Sequence, residues 1–446
     1  MDLGSTGLLT DQYELTMIRA ALRSGMAHRE SVFELFARRL PPGRRYGVVA
    51  GVGRALDAIA DFRFGGDELE FLTSNKIIDG PTAEFLAGYR FRGSAWGYGE
   101  GDLYFPGSPI LIVQGTFAEA VILETVLLSI YNYDSAVASA ASRMTLMAED
   151  RPCIEMGSRR ANERAAVAAA RAAYIGGFAS TSNLEAGRTY GIPTSGTAAH
   201  SFTMLHDTEE AAFQAQIDTL GENTTLLVDT YDIAEAVRAG VRITGGRLGA
   251  VRIDSGDLTA TAREVRALLD DLGATATRII VTSDLDEWQL AALSGAPVNG
   301  YGVGTSLVTG SGAPTCSMVY KLVSRTVSDA PGAPLEPVAK KSTAKASLGG
   351  RKYALRRLDY KGIAEAELVG VAGPPAAGDY DRPLMRELIS HGEITGAEPV
   401  ADARARHEMA RAELPRDGHK MSRGEPVIPT FFIDESGNIM PTPYGA

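Results

Sequence analysis

The chain has 446 residues, with 44 Lys and Arg against 55 Asp and Glu, a formal net charge of −11. Apolar residues make up 45% and charged residues 22%, the balance of a folded globular protein, and the length allows two or three domains. The acidic balance excludes broad binding to nucleic acid or to an anionic membrane, which needs a basic face; small anionic ligands held by local arginines stay open. The two cysteines, Cys153 and Cys316, build neither a disulfide framework nor a Cys-rich zinc site. The first 15 residues lack the basic leader and apolar core of a signal peptide, and the apolar stretch around 120–130 is broken by Glu124. A cytoplasmic protein with no membrane span is expected.

Taken in order, residues 31–36 and 46–50 read as strands, and 54–62 and 66–73 have helical spacing. Residues 94–98 and 110–115 are again strand-like, with Pro106-Gly107 as the turn between them. From 119 to about 147 the pattern is helical. A different rhythm starts near Cys153: short apolar runs at 153–156, 192–194, 225–228, 250–253, 278–281 and 298–303 alternate with amphipathic stretches at 164–174, 208–220, 233–239, 258–272 and 286–294. That alternation predicts a parallel sheet with crossover helices, as a closed or nearly closed α/β barrel or as an open doubly wound sheet. The rhythm stops after Lys321. The last 80 or so residues read as polar and irregular, with one helix near 401–414 and a basic stretch (Lys340, Lys341, Lys345, Arg351, Lys352) that suits a solvated hairpin better than a nucleotide-phosphate contact. The expected division is 1–130 as an α+β domain, 131–325 as the catalytic barrel, and 326–446 as a segment packing back on the first domain.

Each predicted barrel strand ends in glycine, charged or hydroxyl residues. The ends carry Gly157-Ser158-Arg159-Arg160, then Ser195-Gly196-Thr197-Ala198-Ala199-His200, then Asp229-Thr230-Tyr231-Asp232. They continue with Asp254-Ser255-Gly256-Asp257, Ser283-Asp284-Leu285-Asp286 and residues 302–306. Parallel α/β folds place their sites at the carboxyl ends of strands. Any one cluster could be a helix cap and a turn, Asp257 and Asp286 above all. Six converging on one rim, with paired carboxylates, arginines and a histidine, point to a site. Arg252 lies two residues before Asp254, so both share one strand face, where a guanidinium can fork onto a ligand carboxylate. Residues 302–306 suit a phosphate. Of six histidines only His200 falls on the rim, as a base, a phosphate contact or a phosphoryl acceptor; His28, His391, His407 and His419 lie in ordinary polar surroundings.

These residues form a pattern. Its first half is Thr10-Asp11-Gln12-Tyr13-Glu14-Leu15-Thr16-Met17, Glu155-Met156-Gly157-Ser158-Arg159-Arg160-Ala161 and Gly176-Gly177-Phe178. The second half is residues 195–201, Asp229-Thr230-Tyr231, residues 251–257 and 302–306, and Tyr320-Lys321-Leu322-Val323. Together, from about residue 8 to residue 323, they resemble the nicotinate phosphoribosyltransferase family, of the type II phosphoribosyltransferase fold. The tail beyond Lys340 resembles it loosely.

The resemblance implies an incomplete or irregular α/β (TIM-like) barrel with an α+β domain built from the N-terminal and C-terminal segments. It implies an enzyme that joins nicotinate to 5-phosphoribosyl-1-diphosphate, with Mg²⁺ and coupled ATP hydrolysis, as a homodimer with shared active sites. His200 then matches the histidine that ATP phosphorylates, Gly304 and Thr305 the 5′-phosphate loop, and Asp284 a ribose contact. Asp229 and Asp254 match carboxylates near the ribose and the pyridine, Arg159 a phosphate-binding arginine, and Arg252 the residue facing the pyridine substituent. Tyr13 matches a stacking aromatic from the other subunit, Phe178 is a weaker stacking candidate, and Thr197 sits in the turn before His200 on the substrate side. No fixed structural metal site is implied; Mg²⁺ is expected with substrate near Asp254 and Asp257. The related nicotinamide enzyme places an aspartate where Ser182 falls here, and a hydroxyl there suits an acid substrate. The alternatives are a nicotinamide or quinolinate phosphoribosyltransferase, or a non-transferase barrel that binds a sugar phosphate.

Overall fold

The computed structural model describes residues 5–328, 330, 332–340 and 347–441. The chain divides into two compact units, one of Met1–Ser139 with Ala313–Ala446 and one of Ala140–Gly312. These borders differ from the rhythm-based ones at 130 and 325 for two reasons. Glu124–Ala148 is one continuous helix, so the first border falls inside it, and strand Met318–Thr326 pairs with Glu30–Ala37, which ties it to the first unit.

The first unit is α+β. Its seven-stranded antiparallel sheet runs Leu335–Pro337, Met318–Thr326, Glu30–Ala37, Leu111–Thr116, Ser94–Tyr98, Met385–Ser390, Glu393–Ile394. N-terminal strands thus form the centre and C-terminal strands flank them on both sides. Strands of Val, Ile, Phe and Tyr fit a pleated, buried surface; Phe33 stacks on Tyr320 with ring centres 4.9 Å apart in a core that includes Phe36, Tyr98 and Leu127.

The tail is not irregular. Arg382–Pro383, Lys352–Leu358, Ala364–Val371, Thr430–Ile433 and Ile439–Met440 form a five-stranded sheet, beside the expected helix, Val400–Ala412. Charged residues that point inward disguise it in the sequence. Arg356 is fully buried, bonding Glu367 and the Leu103 carbonyl at 2.8 Å each, and Tyr98 donates to Glu367 at 2.7 Å. Lys352 is also buried, paired with Glu34, so it is not part of a solvated hairpin. Arg351 lies 4.0 Å over the Trp96 ring and donates to Gln114 at 2.7 Å. Lys341 and Lys345 lie outside the described residues. His407 is likewise buried, not in polar surroundings.

The second unit holds a six-stranded, all-parallel sheet in the order Ser180–Thr181, Cys153–Glu155, Gly300–Val303, Arg278–Thr282, Ala250–Ile253, Thr225–Leu227. Among the described residues it stays open at Thr225–Leu227, so the barrel is incomplete, as expected. Two details correct the predicted strands. Residues 192–194 contribute a single bridge, Thr181 to Thr194, because Pro193 has no N–H to extend a ladder. The strand Ser180–Thr181, too short and polar to register as periodic, takes the place beside Cys153–Glu155. The helices Glu163–Ile175, Glu209–Leu220, Ile233–Ile243, Leu258–Asp271 and Glu287–Ala292 start at side-chain caps from Asn162, Thr208, Asp232, Asp257 and Asp286. Among the described residues no helix is long and apolar enough to cross a membrane. Both thiols are buried, and burial pushes Cys153 up to about 12 and Cys316 up to about 11.

Candidate active site

In the second unit a set of charged residues gathers at the carboxyl ends of the parallel strands. Val251 and Ile253 are buried, and Arg252, between them, emerges on the other face beside Asp254. Arg252 Nη2 stands 3.6 Å from Asp254 Oδ2, and Nη1 reaches the Ala198 carbonyl at a long 3.4 Å. Its Nε is buried with no hydrogen-bond partner. The guanidinium is therefore held in place with donor capacity left over, which is what a carboxylate ligand needs.

Asp229 follows strand Thr225–Leu227 and is a hub. Its Oδ2 accepts the backbone N–H of Asp254 at 2.9 Å and the Ser255 hydroxyl at 2.7 Å. Its Oδ1 is buried without a hydrogen-bond partner. His200, the first residue of helix His200–Leu205, brings Nε2 to 4.0 Å from both Asp229 Oδ1 and Asp254 Oδ2. The Thr230 hydroxyl sits 3.1 Å from His200 Nδ1, and the Thr282 hydroxyl donates to Asp254 Oδ1. Two carboxylates and an oriented imidazole thus meet at one point, with the ring half-exposed.

A cleft of about 250 Å³ opens beside them, lined by Arg159, Arg160, Arg252, Asp254, Asp284, Gly304 and Thr305, with Met156, Thr282, Ser283 and Gly302 beneath. Gly302 has no room for a side chain, since an added Cβ would meet Thr282 Cγ2 at 2.4 Å and Met156 Sδ at 2.7 Å. Arginines and carboxylates around one cleft suit a ligand that carries phosphate and hydroxyl groups.

Most of the predicted site residues converge here: Arg159, Arg252, Asp254, Asp284, Gly304 and Thr305 on the cleft, Asp229 and His200 at its edge. Thr197 and Ser182 are exposed at neighbouring strand ends. Phe178 is a correction: it is 1% exposed, a core aromatic with no face to offer a ligand. Asp257 caps helix Leu258–Asp271, its Oδ1 accepting Thr259 N–H and Ala260 N–H at 3.1 Å each, and lines a hollow of about 340 Å³ that adjoins the cleft through Ser283 and Asp284. Tyr13 belongs to the first unit, 46% exposed on helix Gln12–Ser24.

Thr230, Ser255 and Arg160 stand in the strand-end clusters without an individual role, and Thr282 lies outside those clusters. Each directly precedes, follows or lies two residues from an assigned group at a strand end, and that adjacency was the available signal. Among the described residues, no group of three or more His, Cys, Asp or Glu side chains is arranged to hold a metal ion.

The fold and this rim define an α/β half-barrel protein with a cleft of arginines and aspartates at the carboxyl ends of its strands. Residues 8–132 match the model of the nicotinate phosphoribosyltransferase N-terminal domain, and residues 152–352 match that of the nicotinate phosphoribosyltransferase family. Nicotinate phosphoribosyltransferase pncB1 of Mycobacterium tuberculosis is 56% identical over 436 residues, covering 96% of this chain and 95% of that one. The crystal structure of human nicotinic acid phosphoribosyltransferase superposes with a TM-score of 0.82 at 26% identity, over 96% of this chain and 98% of that one. A nicotinate-nucleotide pyrophosphorylase from Pyrococcus furiosus shares the fold, with a TM-score of 0.75 at 23% identity over 92% of this chain and 96% of that one. The chain belongs to the nicotinate phosphoribosyltransferase family.

Proposed function

We propose that the protein joins nicotinate to 5-phosphoribosyl-1-diphosphate, giving nicotinate mononucleotide and diphosphate in NAD salvage, with ATP hydrolysis coupled through His200. The observation that carries this reading is the meeting of Arg159, Arg252, Asp254, Asp284, Gly304 and Thr305 on one cleft, with His200 4.0 Å from two carboxylates.

In the transfer step the pyridine nitrogen gives its lone pair to the ribose anomeric carbon. The bond from that carbon to the diphosphate oxygen breaks, and its electrons leave with the diphosphate. The transition state resembles an oxocarbenium ion, so the protein's task is positioning and electrostatics, with no covalent nucleophile. Arg252 holds the ring carboxylate, Asp229 and Asp254 face the developing positive charge, and Arg159 holds a phosphate. Gly304 and Thr305 hold the 5′-phosphate and Asp284 a ribose hydroxyl. Mg²⁺ bound with the diphosphate would neutralise its departing charge, in keeping with the ion's preference for substrate phosphates and one or two carboxylates. Asp254, on the cleft, and Asp257, at the adjoining hollow, would hold it.

In the coupled step a His200 ring nitrogen attacks the γ-phosphorus of ATP, ADP leaves with the bridging oxygen, and water later cleaves the phosphorus–nitrogen bond to release phosphate. Tyr13 is assigned to the cleft of a partner subunit in a homodimer, stacked on the pyridine ring. A cytoplasmic location fits two buried free thiols.

Incubation with γ-labelled ATP tests the coupling. Label is expected on an acid-labile, base-stable histidine in the wild type and not in His200→Ala; a variant that labels equally refutes the assignment. Side-by-side turnover tests the substrate, since Ser182 offers a hydroxyl and no carboxylate to the ring substituent. Nicotinamide turned over as fast as nicotinate would sink it. Mixing Tyr13→Ala with His200→Ala protein should restore partial activity if the sites are shared between subunits.

A further inference from the structure

Glu155 ends strand Cys153–Glu155 and is fully buried, yet it takes no part in the chemistry above. A carboxyl group in such a place costs several kcal/mol unless its oxygens are satisfied. Here both are. Oε1 accepts the backbone N–H of Gly157, and Oε2 accepts the Thr181 hydroxyl. The main-chain carbonyl of the same residue accepts Ser182 N–H at 2.8 Å.

The bonds continue outward. Thr181 Oγ1 accepts the Asn183 N–H at 2.9 Å, and Asn183 Nδ2 donates to Ser158 Oγ at 3.0 Å. The ring of contacts thereby closes between two loops. One is the 157–160 loop, which carries Arg159 and Arg160 into the cleft; the other is the 181–183 turn, which carries Ser182. Gly157 also abuts the Gly304 turn: an added Cβ there would meet Val308 Cγ1 at 2.2 Å and the Gly304 carbonyl at 3.2 Å. One buried carboxylate therefore fixes the register of the arginine loop against the turn beside it. Burial pushes its carboxyl above the usual range, and the Thr181 and Gly157 bonds oppose that rise.

We infer that Glu155 is a positioning residue that locks the phosphate-binding arginine loop and the Ser182 turn in one geometry, and that it thereby sets the preference for an acid over an amide ring substituent. The inference rests on the proposed contacts of Arg159 and Ser182 with substrate.

Two variants dissect it. Glu155→Gln keeps the volume but offers one acceptor where two donors, the Gly157 N–H and the Thr181 hydroxyl, converge. Thr181→Val removes the arm to the turn and with it the hydroxyl donor to Oε2, while Oε1 keeps the Gly157 N–H. Thr181→Val should raise KM for nicotinate and cut the nicotinate-to-nicotinamide ratio of kcat/KM by about tenfold, leaving KM for the phosphoribosyl donor unchanged. Glu155→Gln should raise KM for both substrates by about tenfold, and the double variant should be no worse than Glu155→Gln, because the two share one linkage. Variants that keep both KM values and the ratio, or that lose activity only in step with a lowered Tm, overturn the inference.

Amide hydrogen exchange separates this outcome from failure of the functional reading. Faster exchange at Asn183 in Thr181→Val, and at Gly157 or Asn183 in Glu155→Gln, is expected whether or not nicotinate is the substrate; unchanged exchange at both refutes the linkage. A wild-type protein that turns over no nicotinate refutes the functional reading instead.

Discussion

Asp229 Oδ2 accepts the backbone N–H of Asp254 at 2.9 Å, so one rim carboxylate fixes the strand end that carries the other. Its second oxygen is left buried, 4.0 Å from His200 Nε2. Asp229→Asn keeps an acceptor for Asp254 but removes the charge that faces the histidine. We expect kcat/KM to fall on the order of 100-fold with little change in Tm, read by steady-state kinetics and thermal melts.

Arg252 should not tolerate lysine. A lysine keeps the charge but loses the planar fork, and Arg252 has little other support than the long bond to the Ala198 carbonyl and Asp254 at 3.6 Å. Arg252→Lys is expected to weaken nicotinate binding by about 2–4 kcal/mol, the scale of a desolvated charge pair, and nicotinamide binding by much less. Equal losses for both ligands in a titration would remove Arg252 from the carboxylate site.

The Thr230 hydroxyl stands 3.1 Å from His200 Nδ1 and leaves Nε2 toward the two aspartates. Thr230→Val keeps the shape and removes that partner. Labelling of His200 by γ-labelled ATP should slow by about tenfold or more, a typical effect of losing the group that orients a functional imidazole. An unchanged labelling rate would show that the ring needs no such support.

Glu14 is buried in the first unit, with Oε1 accepting Thr125 N–H and Thr125 Oγ1–H at 2.9 Å each. Burial raises its carboxyl to about 7, assisted by Glu124 and opposed by those hydrogen bonds. The folded value lies above the unfolded one, so its contribution is whole below about pH 4.3 and is lost as pH rises through about 7. Chemical denaturation of Glu14→Gln between pH 4.5 and 7.5 should lack that part of the pH slope.

His407 works in the opposite sense. It is buried against the Gly101 carbonyl at 3.1 Å, and burial, with Arg411 and Arg404 nearby, pushes it down to about 3. The neutral ring is the folded form, so its contribution is whole above about pH 6.5 and drains away as pH falls toward 3. His407→Gln, which can still donate to that carbonyl, should unfold less steeply in acid than the wild type.

Legibility in the sequence followed periodicity. Strand and helix alternate from Cys153 to Val303, save that 192–194 is a single bridge and Ser180–Thr181 the strand beside it, so the parallel sheet could be read and its rim located. The tail hid its sheet because Lys352, Arg356 and Glu367 face inward and pair there, breaking the apolar alternation that marks a half-buried strand. Phe178 failed for a related reason. Residue type and a neighbouring motif cannot tell a core ring from an exposed one.

The sequence by itself determined which polar residues follow which predicted strand, and therefore that Arg252, Asp254 and Asp229 belong to one edge of a parallel sheet; the run placed before His200 is only a single bridge. Only the tertiary structure decided which of them meet. Asp229 comes within hydrogen-bonding reach of the Asp254 N–H, 25 residues on in the chain, because their strands pair as neighbours about 4.8 Å apart, and that spacing, unlike periodicity, depends on the pairing partners each strand finds. The role of Glu155 shows the same division: a lone acid in the sequence, and in the fold the fastening between two loops.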